Sequence, residues 1–175
     1  IERLRDETRI PIIYVTHAVS EVVRLATTLV VMSEGQVEAS GPLPVVMSMF
    51  NVASTSSSDE AGAVIEANVG DFDSAYGLTT LETRAGLLHV PGRVGERGIR
   101  VRVHIHARDV MIALEPPSNM SALNMLGGIV TEVSAGENAV SGVRRDCTGV
   151  VLTARLTRRS IEALCLAPGR PVVAV

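Results

Sequence analysis

The sequence predicts an α/β segment over about residues 1–50, followed by an all-β, small-barrel domain with one short helix over residues 62–175. Three observations predict this division. The apolar run at 12–16 leads through His17 directly into an amphipathic helical pattern. Residues 51–61 are polar, Ser-rich and poor in apolar side chains, which is typical of a linker. Beyond the linker the hydrophobic period changes from 3.6 to 2, as expected for strands.

Composition restricts the class of protein and its partners. The chain has 175 residues, of which 46% are hydrophobic and only 2% aromatic, so the core must be aliphatic. A net charge of −3 gives no reason to expect a nucleic-acid partner. All 16 basic residues are Arg, which excludes a P-loop lysine from these residues. Cys147 and Cys165 suit reduced thiols in a cytosol, and no apolar run reaches the roughly 18 residues that cross a bilayer.

The first segment alternates between helical and strand patterns. The charged, amphipathic pattern of residues 1–8 predicts the end of a helix, which Pro11 terminates. The β-branched run after it predicts a buried strand, and apolar residues at helical spacing predict a helix. Glu34-Gly35 predicts a hairpin turn, and Gly41-Pro42 opens a short helix. The predicted strands are 12–16, 29–32 and 36–39, and the predicted helices are 18–27 and 41 to about 50.

The second domain is predicted to be a series of short strands. Residues 99–105 alternate strictly, so one face carries Arg100, Arg102 and His104. Turn signals recur at the spacing of small barrels, and Thr157 is a suitable N-cap for one helix at 158–165. Similar patterns at 62–114 and 127–175 predict two intertwined β units. The predicted strands are 64–69, 78–84, 87–90, 99–105, 110–114, 128–134, 139–144, 150–156 and 171–175.

His17 is the first candidate functional residue. It lies at the carboxyl end of a predicted strand, where open α/β sheets bind ligands. The order Tyr-Val-Thr-His, then Glu21, residues 30–37 (VVMSEGQV) and Gly41-Pro42 resembles the switch-histidine region of ABC-transporter ATPases. The resemblance implies that His17 is catalytic, binding the γ-phosphate of ATP and helping to position the attacking water. A capped strand with a hydrogen-bonded histidine is the alternative.

The other parts of an ABC ATPase have no counterpart in this sequence. It contains no G-x-x-x-x-G-K-[ST] loop, no signature segment and no apolar run ending in Asp-Glu before His17. Phosphoryl transfer needs Mg²⁺, a phosphate-binding backbone and a positioned base together. We therefore expect this chain alone to be inactive, with ATP and Mg²⁺ as cofactors of an intact subunit. The start without Met, in a charged pattern, is expected of a fragment.

A second motif predicts an oxyanion site. Residues 121–130 (SALNMLGGIV), with 105–110 (IHARDV) and 154–164 (ARLTRRSIEAL), resemble the Mop/TOBE domain of molybdate-transporter ATPases. A doubly charged tetrahedral oxyanion requires clustered backbone N–H groups and hydroxyls. The resemblance implies that molybdate or tungstate binds mostly through backbone, as a regulatory ligand. The implied site residues are Ser121, Ala122, Leu123, Asn124 and Thr157.

The motif departs from the family pattern at Leu123, where the family usually has Arg, so a guanidinium contact is missing. Arg158 and Arg159 are candidates to replace it. The alternative interpretation is that 121–124 is only a turn and Thr157 only a helix cap.

Two other features suggest no site. His104 and His106 share one strand face without a cluster of carboxylates or cysteines beside them, so we expect surface histidines and no metal. Cys147 has basic neighbours but no partner base in view, so we expect a structural role.

Together the resemblances imply the C-terminal part of the ATP-binding subunit of a molybdate or tungstate ABC importer. Such a subunit is cytoplasmic and peripheral on the inner face of the cell membrane. Its partners are a second copy of itself and membrane-spanning permease subunits, and oxyanion binding favours the nucleotide-free arrangement. The alternatives are an ATPase subunit for sulfate, iron or sugar, a stand-alone oxyanion-storage protein, and a purely structural dimerisation barrel.

Overall fold

The structure is a computed structural model that describes residues 10–47, 62–134 and 140–175. The first part contains helix α1 (Val19–Leu25), the hairpin strands β1 (Thr28–Ser33) and β2 (Gln36–Pro42), and a helical segment at 43–47. The second part contains strands β3 to β11, a single 3₁₀ turn at Ala107–Asp109, and helix α2 (Arg158–Ala163). The strands are β3 (Gly62–Asp73), β4 (Leu78–Thr83), β5 (Gly86–Pro91), β6 (Arg100–His106), β7 (Ile112–Ala113), β8 (Leu126–Ser134), β9 (Val140–Cys147), β10 (Val150–Thr157) and β11 (Pro171–Ala174).

The predicted strand at 12–16 is wrong for this structure. These residues pair with no other described strand, and the side chains of Ile13 and Val15 are 95% and 91% exposed. The physical reason is that a parallel strand needs neighbours on its edges and layers on both faces. The described residues supply neither. The predictions for residues 1–8, for the linker at 51–61 and for the helix beyond residue 47 lie outside the described residues.

The remaining elements of the first part agree with the sequence patterns, except that Gly41 and Pro42 belong to β2 and the helical segment begins at residue 43. Helix α1 is shorter than predicted because Ala26 already has an extended backbone. The hairpin turn is confirmed, with Glu34 and Gly35 at φ 49° and 79°. Two successive left-handed residues suit the tight turns that follow the twist of paired strands.

The second part confirms the all-β small-barrel prediction with one short helix. Its strands form two antiparallel sheets, in the orders β5-β4-β3-β6 and β10-β9-β8-β11-β7. Each of the nine predicted strands has a counterpart among the described residues. The two β units are also intertwined, because β7 leaves the first unit and pairs with β11 in the second sheet.

The core is aliphatic, as the composition requires. Alternate residues of β3 point into a cluster between the two sheets, where they meet Leu152 and Ala154 of β10. The opposite face of β3 contacts the first part of the chain, because Val64 packs with Val23, Leu43 and Met47. The β3 residues on the inner face are Ala63, Ile65, Ala67 and Val69.

Strand β9 places one charged side chain in the core. Val143, Arg145 and Cys147 alternate along it and are each 0% exposed. Arg145 is opposite Val130 on β8 and Leu152 on β10. Its three guanidinium nitrogens have no hydrogen-bond partner in the part of the chain that the structure describes. Burial lowers the pKa of Arg145 and raises the pKa of the Cys147 thiol.

The backbones of β8 and β9 approach closely at Gly128. A Cβ atom on this residue would lie 2.5 Å from the carbonyl oxygen of Asp146 and 2.7 Å from Sγ of Cys147. A Cβ on the adjacent Gly127 would have no heavy atom within 4 Å. Only the first of these glycines is therefore required by packing.

Candidate nucleotide and oxyanion sites

His17 is exposed at the entry to α1, and the residues around it are fixed by one carboxylate. Glu21 Oε2 accepts hydrogen bonds from Thr16 Oγ1 at 2.6 Å and from the Tyr14 hydroxyl at 3.1 Å. Thr16 Oγ1 in turn accepts a bond from the Ala18 amide at 3.1 Å. The segment on either side of His17 is thus held, while the imidazole remains accessible to a ligand.

The same contacts shift two pKa values in opposite directions. The hydroxyls of Thr16 and Tyr14 stabilise the charged carboxylate, which lowers the pKa of Glu21. The hydrogen bond to Glu21 and its negative charge disfavour the phenolate, which raises the pKa of Tyr14. Because the Glu21 pKa is lowered on folding, its stabilising effect is complete above the unfolded value and is lost as the pH falls through the folded one.

We expect Glu21→Gln to return the pKa of Tyr14 toward its ordinary value of about 10, because the substitution removes the negative charge. In the wild type, the contacts to Tyr14 and Thr16 should weaken as the pH falls through the lowered pKa of Glu21, because the carboxylate then takes up a proton. NMR titration of the Tyr14 ring measures the first effect, with the Tyr76 ring as internal reference. An unchanged Tyr14 titration in the variant would show that Glu21 does not contact it in solution.

The predicted oxyanion loop, residues 121–124, has no regular secondary structure. Ser121 and Leu123 are exposed, whereas Ala122 and Asn124 are half-buried. The side-chain amide of Asn124 is already used within the fold. Its Oδ1 accepts from the His89 amide at 2.7 Å, and its Nδ2 donates to the His89 carbonyl at 3.1 Å. Asn124 therefore attaches the loop to β5. The exposed residues of the loop are Ser121 and Leu123, which precede it.

The two hydrogen bonds between the Asn124 side chain and the His89 backbone form a clamp. We expect Asn124→Ala to increase hydrogen exchange of the His89 amide by about tenfold or more, because both bonds of this clamp are lost. Asn124→Asp keeps the acceptor and loses the donor, so its effect should be smaller. Leu123→Ala is the matched control, since that side chain is exposed. Equal exchange in all three variants would contradict the clamp.

Thr157 is the N-cap of α2, as predicted. Its Oγ1 accepts from the Ser160 amide at 3.1 Å and lies 2.8 Å from the Ser160 hydroxyl oxygen. Ser160 is thus a second hydroxyl at this position that the sequence interpretation missed. The spacing Thr-x-x-Ser at the start of a helix is the signal that predicts it.

The structure does not bring the loop at 121–124 and Thr157 together within one copy. The loop enters β8 at Leu126, the end of the sheet where β9 and β10 are joined between Cys147 and Val150. Thr157 pairs with Val140 at the opposite end. Eight residues of β10 span about 23 Å. One tetrahedral oxyanion cannot contact both parts in the same chain.

A cavity of about 270 Å³ lies between the sheets next to Asn124. Its walls are mostly aliphatic, with His104, His106 and Asp109 at one side. The prediction of surface histidines is therefore wrong, because both rings are half-buried and their centroids are 4.4 Å apart. Nδ1 of His106 lies 3.7 Å from a carboxylate oxygen of Asp109. The alternation of 99–105 did not reveal this, because α1 covers part of the predicted polar face, where Arg102 contacts it.

Comparison with known proteins gives a domain match within the second part and full-length relatives for the whole chain. Residues 120–175 match the TOBE domain. The molybdenum import ATP-binding protein ModC of Mesorhizobium japonicum is 46% identical over 175 residues, which are 100% of this chain and 47% of that protein. The corresponding protein of Rhizobium meliloti is also 46% identical over 175 residues, 49% of its length. ModC 1 of Azotobacter vinelandii is 40% identical over 171 residues, 97% of this chain and 47% of that protein.

The chain therefore spans about half the length of the curated relatives that it matches. Among solved structures, the cytoplasmic molybdate-binding protein ModG, crystallised with molybdate bound, superposes with a TM-score of 0.55. It is 20% identical and covers 64% of this chain and 87% of its own, so it supports the fold alone. The chain is thus similar along its whole length to molybdenum import ATP-binding proteins, and its residues 120–175 match the TOBE domain.

Proposed function

We propose that this chain is part of the ATP-hydrolysing subunit that energises molybdate import. Its second part is proposed to provide dimer contact and molybdate-dependent regulation. The observation that carries the proposal is the 40–46% identity, along the whole chain, to proteins named as molybdenum import ATP-binding proteins. The TOBE match and the small-barrel fold agree with it.

In this proposal His17 contacts the terminal phosphate of ATP. The imidazole is exposed, and its neighbours Thr16 and Glu21 are bonded to each other. A phosphate oxygen accepts a strong hydrogen bond from an imidazole N–H group when the ring is charged. No group of three or more metal-ligating side chains occurs among the described residues. His17 is the side chain of this region that we propose contacts the nucleotide. Mg²⁺ would accompany the ATP in the longer protein.

The exposed apolar run before His17 supports the same proposal. Ile10, Ile12, Ile13 and Val15 are all exposed, in a segment with the composition of a buried strand. Such an exposed run marks a surface that is covered in the functional molecule. We propose that neighbouring strands of a nucleotide-binding domain cover it.

The oxyanion site is proposed to form between two copies of the chain. The loop at 121–124 from one copy and Thr157 with Ser160 from the other would enclose one molybdate or tungstate ion. This arrangement follows from the length of β10, about 23 Å, which separates the loop from Thr157 within a single copy. A dimer contact near the loop is supported by the exposed apolar side chains there. These are Met111, Leu114, Met120, Leu123, Met125 and Ile129.

Membrane-spanning permease subunits are the other proposed partners. The subunit would lie on the cytoplasmic side of the membrane, attached through those partners. Among the described residues, no helix has the length and apolar character required to cross a bilayer.

Calorimetric titration of the chain with molybdate, tungstate and sulfate, combined with sedimentation, tests the oxyanion proposal. Ser121→Ala and Thr157→Val should each weaken molybdate binding by about tenfold, and Thr28→Ala on β1 should not. An equimolar mixture of the two variants should regain about a quarter of the sites, because about half of the dimers are mixed and one of the two sites in each mixed dimer is intact. Preference for sulfate would favour an importer of another substrate. Self-association without oxyanion binding at millimolar concentration would favour a structural dimerisation barrel.

A further inference from the structure

Arg102 of β6 connects the barrel domain to the helix that follows His17. Its Nη1 donates to the carbonyl oxygen of Ala26 at 2.6 Å and to that of Val23 at 3.3 Å. Both carbonyls lie at the carboxyl end of α1, where the last turn of a helix lacks intrahelical donors. A guanidinium here satisfies these acceptors and opposes the negative end of the helix dipole.

A second, apolar contact fixes the same helix on the same sheet. Val64 of β3 packs with Val23 of α1, and Val64 is the strand neighbour of His104 on β6. The outer face of the β3–β6 pair thus holds α1 by one buried side chain and one charged donor. These two contacts come from the barrel domain, not from the hairpin that follows α1.

The two ends of α1 are therefore attached to different structures. At its amino end, Glu21 holds Thr16 and Tyr14 on either side of the backbone that leads to His17. At its carboxyl end, Arg102 holds the helix on the barrel domain. Seven helical residues span about 10 Å, so α1 is a short, rigid link between the two.

We propose that Arg102 is a positioning residue, which holds α1 on the barrel domain and thereby fixes the place of the His17 imidazole. This inference rests on the proposed function of His17. It assigns to one side chain of the barrel domain an effect, exerted through α1, on the site of the terminal phosphate. A movement of β6 would be transmitted through Arg102 to α1, without passing through the linker.

The first test uses hydrogen exchange on this chain. Arg102→Met retains the apolar stem and removes the donors, and it should increase exchange of the α1 amides by about tenfold. Arg102→Lys should restore part of the protection. Arg100→Met is the matched control, because Arg100 is exposed on the same face of the same strand. Protection of the β3–β6 amides should be unchanged in all variants, which shows that the sheet remains folded.

The second test uses ATP hydrolysis by the full-length subunit with its permease. Arg102→Met should lower kcat by about threefold to tenfold and change KM for ATP by less than about twofold, because it displaces His17 without removing it. Arg100→Met should retain wild-type kcat. A purely structural role of Arg102 would lower the amount of folded protein and leave kcat per folded molecule unchanged.

The outcomes separate the two proposals. A wild-type full-length subunit that does not hydrolyse ATP refutes the proposed function. A wild type that does hydrolyse ATP, with Arg102→Met and Arg100→Met equal in α1 exchange and in kcat, overturns the role of Arg102 alone.

Discussion

Gly128→Ala is expected to destabilise the protein by about 2–4 kcal/mol, because the new methyl group has no space between β8 and β9. The nearest atom, 2.5 Å away, is a backbone oxygen of Asp146 and not the end of a flexible side chain. The strands must therefore separate at this point, which disturbs the ladder and the contact with the buried Cys147. Urea denaturation followed by circular dichroism measures the loss.

Gly127→Ala is the matched control for this prediction. It is the preceding residue on the same strand, and its Cβ would meet no heavy atom within 4 Å. Its stability should stay within about 0.5 kcal/mol of the wild type, or rise, since alanine restricts the unfolded chain more than glycine does. Equal midpoints for the two variants would mean that β8 and β9 are not as close as the structure has them.

Arg145→Leu is expected to stabilise the protein, by about 1–4 kcal/mol. The guanidinium is fully buried and has no hydrogen-bond partner among the described residues, so folding removes its hydration without replacing it. Leucine would instead pack beside Leu152 and Val130, the aliphatic residues opposite it on the two neighbouring strands. The expected result is a higher urea midpoint with an unchanged slope.

Arg144→Met is the control, because this neighbour points to the other face of β9. Arg144 pairs with Glu132 at 3.4 Å, and its side chain is 22% exposed. Its replacement should cost about 0–1 kcal/mol, the usual range for an ion pair near the surface. Lower stability of Arg145→Leu than of the wild type would show that the guanidinium has a partner in solution that this structure does not contain.

The strand pattern was predictable where one face of a strand is buried and the other is not. Residues of β3 show this directly, with Ile65 and Val69 inside and Glu66 outside. The N-cap of α2 was predictable for a similar reason, since Thr157 satisfies an amide in its own helix. Both are local patterns, and neither depends on distant parts of the chain.

The failures concern interactions with distant residues. The run at 12–16 has the composition of a buried strand, but composition does not supply the neighbours that a parallel strand needs. Arg145 lies one residue beyond the predicted end of its strand, but β9 continues to Cys147 and places this charged side chain inside. Asn124 has the expected residue type for a loop, yet its clamp on His89 joins residues 35 positions apart.

The proposed oxyanion site between two copies would link the dose response to the concentration of the protein. A ligand that must touch both has to recruit two chains, so occupancy and assembly are linked by mass action. Apparent affinity for the oxyanion would then rise with the concentration of the protein itself. A cell that makes more of this polypeptide would thereby lower the anion level at which the barrel responds.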